Sequence, residues 1–139
     1  MLRRDGLHFS LRSTLEADGW TITDDPLVLV LERTLLKADL GAEKFFAAEK
    51  ANRKIAVEVK DFDASSPISE LEKTMGQLQL YQWALEEQEP DRQLFLAVSQ
   101  DVFIKFFQKP IFQLVLQRNK INLLVYEPLQ EVVLQWITP

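Results

Sequence analysis

Cysteine is absent from the sequence of 139 residues. The chain can therefore form no disulfide and no thiolate metal site, and nothing in its composition requires an oxidising compartment. Its first six residues, Met1 to Gly6, also lack the apolar core of a secretory signal. We therefore expect a cytoplasmic protein.

Long hydrophobic runs are also missing. A membrane-spanning helix needs roughly 20 apolar residues in succession, whereas the longest apolar run, near residues 27–31, has the length of a β-strand. We therefore expect a soluble protein with no membrane association. Hydrophobic residues make up 47% of the sequence and charged residues 27%, which is typical of a globular protein. The length predicts a single domain over residues 1–139.

Positive charge is in deficit. The sequence has 16 Lys and Arg residues against 21 Asp and Glu residues, which gives a net charge of -5. Because phosphate binding is largely counterion release by Lys and Arg, this balance argues against binding nucleic acid with the whole surface. Contact with DNA then requires a second protein or a local basic patch. The best local candidates are Lys50, Arg53 and Lys54, unless they form a solvated hairpin tip.

Hydrophobic periodicity predicts one α/β domain. Leu7, Leu11 and Leu15 recur every four residues and predict a helix over residues 5–18, with His8 beside its apolar face in a structural or surface position. A long helix capped by Ser69, or by Ser66 just ahead of Pro67, is predicted to run to about Gln88, and further helices are predicted to begin at Ser99 and near Pro110. Strands are predicted over residues 20–23, 27–32, 39–42, 55–60 and 94–98, followed by a hairpin of residues 121–126 and 131–137. The strand over residues 27–32 is almost continuously apolar, which predicts burial on both faces.

An acid and an amine close the stretch from Ala38 to Lys60. Residues 51–54 separate two extended runs and predict a hairpin with a longer loop. Because successive side chains of a strand point to opposite faces, Glu58 and Lys60 lie on one face and Val59 on the other. The sequence therefore predicts that a carboxylate and an ammonium group lie side by side.

Asp39 lies at the other end of this stretch. If Asp39 and Glu58 meet on adjacent strands, the two carboxylates, the main-chain carbonyl of Val59 and water provide the oxygen ligands that Mg²⁺ or Mn²⁺ prefers. Lys60 can orient and help to deprotonate an attacking water, or pair with a phosphate. This set predicts metal-dependent hydrolysis of a phosphodiester.

The register of the hairpin decides which acid joins Glu58. A regular turn centred near Asn52 places Glu43 opposite Lys60 and leaves Asp39 several residues further along. A bulge or a short helical excursion between residues 43 and 48 would bring Asp39 back to Glu58. Asp39 and Glu43 are therefore both candidates for the second metal ligand.

The order of these residues is similar to that of a known superfamily. Asp39 followed by Glu58-Val59-Lys60 after an apolar strand resembles the PD-(D/E)xK nucleases, with Ala38 in place of the proline. Gln77 and Tyr81 look like the QxxxY element that some members carry on the next helix. Longer segments resemble the XisH family, the cyanobacterial fdxN element excision controlling factors. These segments are residues 19–27, 39–44, 47–50, 54–60, 89–92 and 136–137.

The resemblance implies a restriction-endonuclease-like core of order αβββαβ, with a mixed central β-sheet flanked by helices and a C-terminal β-hairpin. It also implies a role in DNA excision during heterocyst differentiation and a companion protein of the XisI type. Three functions are open. One is a metal-dependent nuclease acting on DNA, and another is a non-catalytic regulatory protein that keeps the fold and acts through the companion. The third is a toxin-antitoxin-like pair in which the companion masks the site.

Two further groups of residues have alternative interpretations. Gln77 steadies Lys60 or a metal-bound water, or Gln77 and Tyr81 are a polar pair that hydrogen-bonds within the core. Few basic residues lie between the phenylalanines of residues 103–112. We therefore expect these side chains in the core or at an interface and not as a platform on which nucleic-acid bases stack. Apolar excess in this segment would also suit a partner protein or a second copy of the chain.

Overall fold

The structure is a computed structural model that describes residues 4–46, 51–63 and 65–139. The helices in these ranges are Arg4–Ala17 (α1), Pro67–Gln88 (α2), Gln100–Phe106 (α3) and Pro110–Arg118 (α4). The strands are Thr21–Asp24 (β1), Leu27–Leu31 (β2), Thr34–Ala38 (β3), Leu40–Phe46 (β4), Ala51–Val59 (β5), Arg92–Ser99 (β6), Asn122–Glu127 (β7) and Val132–Ile137 (β8). The segment of residues 47–50, which includes Lys50 of the basic group, lies outside the described residues.

Six of the described strands form one sheet in the order β1-β4-β5-β6-β7-β8, and β2 pairs with β3 separately. The strands β5, β6 and β7 are parallel, and the other neighbouring pairs are antiparallel. Parallel neighbours need a crossover connection, which α2 supplies between β5 and β6, and α3 with α4 between β6 and β7. The expected mixed α/β fold, with a mixed central sheet flanked by helices, is confirmed.

Hydrophobic side chains cover both faces of this sheet. On one face, Leu7, Leu11 and Leu15 of α1 pack in a cluster with Val57 and Val59 of β5. Burial of one such side chain contributes about 1.5–3 kcal/mol. The three leucines that recur every four residues in the sequence thus form the apolar face by which α1 packs on the sheet.

An aromatic cluster lies on the opposite face. Phe106, Phe107 and Phe112 are buried around Phe62, and Phe103 stacks on Phe107. The predicted core position of the late phenylalanines is therefore confirmed for the three buried rings. Their burial holds α3 and α4 against the end of β5.

The helix α2 begins after Ser66, one of the two predicted capping residues, and ends where the sequence predicts. The hydroxyl of Ser66 accepts a hydrogen bond of 3.2 Å from the Ser69 N–H, and Pro67 occupies the first turn. Both features favour a helix start at this point, because the first N–H groups of a helix have no partner within it. At the other end, α2 stops at Gln88, two residues before Pro90.

The strand predicted over residues 27–32 is not covered on both faces. Leu27 and Leu29 are buried, but Val28 and Val30 are 47% and 40% exposed. This strand, β2, leaves the central sheet and pairs with β3, a strand that the sequence patterns did not indicate. The apolar composition therefore reflects a hairpin with one buried face and an apolar outer face.

The β4–β5 hairpin also differs from the expectation. The pairing runs without a bulge from Leu40 opposite Val57 to Phe46 opposite Ala51, so the described residues 43–46 contain no helical excursion. Asn52, expected at the turn, lies in β5 opposite Phe45. Continued by one residue, this register brings Asp39 level with Glu58. The prediction of a turn centred near Asn52 was therefore wrong. The observed register brings Asp39 level with Glu58 without a bulge between the paired residues.

Candidate functional site

Asp39 occupies the junction between β3 and β4. It is one residue between two strands that belong to different sheets. Its Oδ2 accepts a hydrogen bond of 2.8 Å from the N–H of Val59. The regular β4–β5 pairing begins at Leu40 opposite Val57, so at Asp39 the side chain, and not the backbone, accepts the hydrogen bond from β5. Since this N–H belongs to the peptide group that joins Glu58 to Val59, the structure holds Asp39 directly beside the end of β5.

Glu58 and Lys60 form a close pair, as strand alternation predicts. The Nζ of Lys60 lies 3.4 Å from Oε2 of Glu58, and the two side chains are only 10% and 2% exposed. The N–H of Lys60 donates to the carbonyl of Ala97 at 3.1 Å, which extends the parallel β5–β6 pairing beyond Val59. Because water is largely excluded, the ion pair is less screened than a surface pair.

The loop after Lys60 is fixed by an unusual residue. Phe62 has φ 53°, in the left-handed region, and this conformation costs a non-glycine residue about 1–2 kcal/mol. Its ring is almost completely buried within the aromatic cluster, which offsets that cost. Lys60 and Asp61 are therefore held between β5 and a buried anchor.

Glu43 lies further from this site. Its side chain is outside the described part of the structure, but its backbone pairs with Thr21 on one side and Lys54 on the other. Lys54 is four residues before Glu58, which corresponds to about 13 Å along a strand. The backbone register therefore favours Asp39 over Glu43 as the partner of Glu58.

The donor set suits a hard divalent cation. In the described residues no three His, Asp or Glu side chains come together as a metal-binding group, so a cation here would rely on two carboxylates, the Val59 carbonyl and water. Mg²⁺ commonly binds proteins through one or two carboxylates and keeps several waters. Asp39 and Glu58 are thus the residues that would hold Mg²⁺ or Mn²⁺.

Gln77 and Tyr81 occupy different surroundings, although both lie on α2. The hydroxyl of Tyr81 donates a hydrogen bond of 2.9 Å to the carbonyl of Lys37, two residues before Asp39. The Oε1 of Gln77 is buried, and no hydrogen-bond partner is found for it in the described residues. Tyr81 therefore holds β3 in place near Asp39, and the role of Gln77 stays a prediction.

A further group on α1 approaches Asp39. The Nε2 of His8 lies 2.7 Å from Oδ1 of Asp25, and Nδ1 of the same ring lies 3.9 Å from Oδ1 of Asp39. Arg12 donates to the other Asp25 oxygen at 2.6 Å. His8 and Arg12 are four residues apart, so they lie on one helix face, and this spacing is a signal in the sequence that could have revealed their association.

Arg12 and His8 determine the charge state of Asp25. Burial on its own raises the pKa of this carboxyl group, but the hydrogen bonds and positive charges of Arg12 and His8 outweigh burial, and the pKa is lowered. The Asp25 carboxylate is consequently ionised at neutral pH and acts as an acceptor toward both side chains.

No sequence pattern indicated a functional position for Tyr126. It ends the buried part of β7 with no exposed surface, and its hydroxyl finds no hydrogen-bond partner in the described residues. Burial raises the pKa of this phenol, and the negative charges of Asp61, Asp39 and Glu127 raise it further. The last apolar run of the sheet therefore brings a neutral hydroxyl close to the acidic groups of the site.

A cavity of about 430 Å³ opens beside the loop that follows Lys60, with Phe62 and the exposed Leu129 among its lining residues. Its acidic lining residues are Asp61, Asp63, Asp101 and Glu127. Lys105 is the basic residue in this lining. Negative charge thus predominates near this end of the sheet.

The basic residues near the β4–β5 turn make contacts within the protein. The guanidinium of Arg53 lies 6.0 Å from the ring centre of Trp20 and 5.7 Å from that of Trp136. Lys54 forms an ion pair of 3.9 Å with Asp91. These contacts favour a structural interpretation of Arg53 and Lys54 over a phosphate-binding patch.

Comparison with known proteins gives a consistent result. Residues 1–134 match the family model described as XisH protein. An XisH family protein from Nostoc punctiforme PCC 73102 has a TM-score of 0.86 and 40% sequence identity, with 96% of this chain and 99% of that chain covered. An fdxN element excision controlling factor protein from Anabaena variabilis has a TM-score of 0.87 and 41% identity, with the same 96% and 99% coverage.

Among curated proteins, none matched the chain significantly. Within the described residues, no helix is long and apolar enough to cross a membrane. The family match covers nearly the whole sequence, and both solved structures share the fold at substantial identity. The chain therefore belongs to the XisH family, that of the fdxN element excision controlling factors.

Proposed function

We propose that this protein is a metal-dependent nuclease-like domain that hydrolyses DNA phosphodiesters during excision of a DNA element. The observation that carries the proposal is the hydrogen bond between Asp39 and the Glu58–Val59 peptide group, with Lys60 next to Glu58. The order of elements around β4, β5 and α2 supports a restriction-endonuclease-like core of the PD-(D/E)xK type. The excision-controlling role named for the Anabaena variabilis relative supports the biological setting.

Hydrolysis of a phosphodiester forms a bond from a water oxygen to phosphorus and breaks the bond from phosphorus to one sugar oxygen. Asp39, Glu58 and the Val59 carbonyl would hold Mg²⁺ or Mn²⁺. When bound, such a cation offsets negative charge on the phosphate and makes water easier to deprotonate. Lys60 lies beside Glu58, where its ammonium can orient the attacking water or pair with the phosphate.

The α2 residues support this arrangement in two ways. Gln77 has a buried amide oxygen with no hydrogen-bond partner in the described residues, and in this proposal it accepts a hydrogen bond from Lys60 or from the attacking water. Tyr81 acts less directly, since its hydroxyl is bound to the Lys37 carbonyl. Its role is to hold the end of β3, and with it Asp39.

Cleavage of supercoiled and branched DNA in the presence of Mn²⁺ tests the proposal. We expect Glu58→Gln and Lys60→Met to reduce the rate by at least 100-fold, because positioned acid–base groups typically contribute factors of about 10² to 10⁴. Removal of divalent metal with EDTA should abolish cleavage, and added Mn²⁺ should restore it.

The matched control is Lys54→Met, which removes an ammonium from the same strand but from a pair with the surface residue Asp91. It should cleave DNA at the wild-type rate. Unchanged cleavage by the Glu58 and Lys60 variants, or an equal loss in the Lys54 variant, would contradict the assignment of these residues.

A second candidate function is a non-catalytic regulatory protein that keeps the fold and binds an XisI-type companion. Three observations favour it. The Glu58 and Lys60 side chains are nearly buried, and the neighbouring cavity carries four acidic residues, which repel DNA phosphates. Exposed Ile104, Ile111 and Leu114 on α3 and α4 offer apolar surface for the companion or for a second copy of the chain.

Calorimetric titration separates the two candidates. Mn²⁺ binding that is lost in Asp39→Asn and Glu58→Gln supports the nuclease-like site. Absence of Mn²⁺ binding together with tight binding of the companion protein supports the regulatory function. Asp91→Asn, at a residue whose side chain is 70% exposed, is the control for the loss of one carboxylate charge.

A further inference from the structure

His8 is the single histidine of the chain, and its ring is held between two carboxylates. Nε2 lies 2.7 Å from Asp25 Oδ1, while Nδ1 faces Asp39 Oδ1 at 3.9 Å. The His8 and Asp39 side chains are 24% and 15% exposed, so neither is a freely moving surface group. This geometry places an imidazole at the edge of the proposed metal site.

The contact with Asp25 determines which ring nitrogen carries hydrogen. An ionised carboxylate can only accept hydrogen bonds, and at 2.7 Å Nε2 must therefore be the donor. Arg12 holds the second oxygen of Asp25 at 2.6 Å, which prevents that carboxylate from rotating. The ring of His8 is thereby fixed with Nδ1 directed toward Asp39.

Asp39 is contacted on both of its oxygens. Oδ2 accepts the Val59 N–H at 2.8 Å, and Oδ1 is the atom that faces His8. A separation of 3.9 Å is too long for a direct hydrogen bond, but one water molecule can bond to both atoms across it. In metal sites, hydrogen-bonding partners of this kind orient a ligand and typically account for 10–100-fold in metal affinity.

We propose that His8, oriented by Asp25, is a positioning residue that acts through Asp39 on divalent-metal binding. The inference rests on the proposed function, because it takes Asp39 as a metal ligand. His8 would set the direction of the Asp39 carboxylate through a hydrogen-bonded water, and Asp39 so oriented would help to hold the cation. The sequence places this residue on α1, outside the stretch that supplies the ligands.

Calorimetric titration with Mn²⁺ tests the proposal. We expect His8→Ala to weaken Mn²⁺ binding by at least tenfold and His8→Asn to recover part of that loss. The Asn amide can occupy the place of Nδ1 and still bond to a water, although it does not reach Asp25. Asp25→Asn should weaken binding to an intermediate extent, because it releases the ring without removing it.

The matched control is Lys54→Gln, which removes a cationic partner from the surface carboxylate of Asp91 and leaves His8, Arg12 and Asp25 in place. It should bind Mn²⁺ within threefold of the wild type. Thermal unfolding of every variant separates positioning from a structural role, since a purely structural His8 would lower Tm in both His8 variants and leave Mn²⁺ affinity unchanged.

The outcomes also separate this inference from the proposed function. If Asp39→Asn abolishes Mn²⁺ binding while His8→Ala binds as the wild type does, the role of His8 is wrong and the metal site stands. If the wild-type protein binds no Mn²⁺, both proposals are wrong.

A measurement on the metal-free wild type needs no substitution. Because the chain has one histidine, its ¹⁵N signals require no assignment, and they should report hydrogen on Nε2 with Nδ1 unprotonated at pH 8. The opposite tautomer would overturn the inference. Added Mn²⁺ should broaden these signals in the wild type and leave them sharp in Asp39→Asn.

Discussion

At the scale of single residues, the site depends on charges that are close together and poorly solvated. Glu58 and Lys60 face each other at 3.4 Å with almost no exposed surface. Breaking a buried ion pair at one partner is costly because the other charge remains in the interior. The pair therefore affects the free energy of unfolding as well as any chemistry.

The first residue-scale prediction concerns this pair. We expect Lys60→Met to lower the free energy of unfolding by on the order of 3 kcal/mol, because it removes the ammonium beside a buried carboxylate. The double variant Glu58→Gln/Lys60→Met should recover most of that loss. Urea denaturation measures both values. A double variant that is as unstable as Lys60→Met would show that the charge of Glu58 is not the cause.

Tyr126 supports a pH-dependent prediction. Its pKa in the folded state is raised above the ordinary value of 10.0, chiefly by burial and then by nearby carboxylates. The unfolded chain therefore releases the phenol proton first as pH rises, so folding loses stability above about pH 10 and is unaffected below it. Tyr126→Phe should show a weaker alkaline loss than the wild type.

Urea unfolding at several pH values between 8 and 11 tests this. The two proteins should differ by a constant amount up to about pH 9.5, and the difference should then shift in favour of Tyr126→Phe. Parallel curves over the whole range would contradict a raised pKa at Tyr126.

At the scale of elements, close packing between β4 and β6 depends on a glycine. A methyl group added at Gly41 would lie 2.9 Å from Nη1 of Arg92 and 3.0 Å from Oδ2 of Asp24. Arg92 cannot easily move, because its Nη1 donates to the Ile55 carbonyl at 2.9 Å and its other nitrogens bind both oxygens of Glu89. Gly41 therefore leaves space for a buried guanidinium that joins β5 to the start of β6.

The corresponding prediction compares two glycines. Gly41→Ala should lower the free energy of unfolding by about 1–3 kcal/mol, the usual cost of overpacking a core. Gly76→Ala, on α2 where an added Cβ meets no atom within 4 Å, should raise it by about 0.5–1 kcal/mol through helix propensity. Thermal unfolding of both variants gives the two values. A stabilised Gly41 variant would show that Arg92 adapts.

Local signals predicted most of the elements. The repeat of Leu7, Leu11 and Leu15 and the capping residue Ser66 are short-range features, and the structure confirms the helices they indicate. The strand β3 was missed because Glu32 and Arg33 form its two-residue turn with φ of 47° and 64°. Such turns usually contain Asn-Gly or another glycine pair, and Glu-Arg carries no such hairpin signal.

The pairing of Asp39 with Glu58 could not be predicted from local sequence patterns, because it too depends on the position of a turn. Strand alternation alone places Glu58 next to Lys60, but the partner of Glu58 depends on where the turn lies. The observed register pairs Asn52 with Phe45, which moves the turn toward the N-terminus and selects Asp39 over Glu43. The approach of His8 depends on how α1 packs on the sheet, and no spacing within one segment encodes that packing.

At the scale of the whole molecule, a net charge of -5 is accompanied by internal contacts of three of the 16 basic residues. Arg12 binds Asp25, Arg53 packs on aromatic rings, and Arg92 binds Glu89. Under the proposed nuclease function, contact with DNA phosphates would therefore draw on bound metal, on a companion protein or on the remaining basic residues.

The junction at Asp39 has a mechanical consequence. β3 belongs to the two-stranded sheet and β4 to the six-stranded sheet, and one residue connects them. A sliding motion of the outer hairpin against the main sheet would pull directly on the hydrogen bond from Val59 to Asp39. Tyr81 resists that motion by clamping β3 to α2 at Lys37. Any displacement of the outer hairpin would therefore be passed directly to the Asp39 carboxylate, because one residue joins the two sheets.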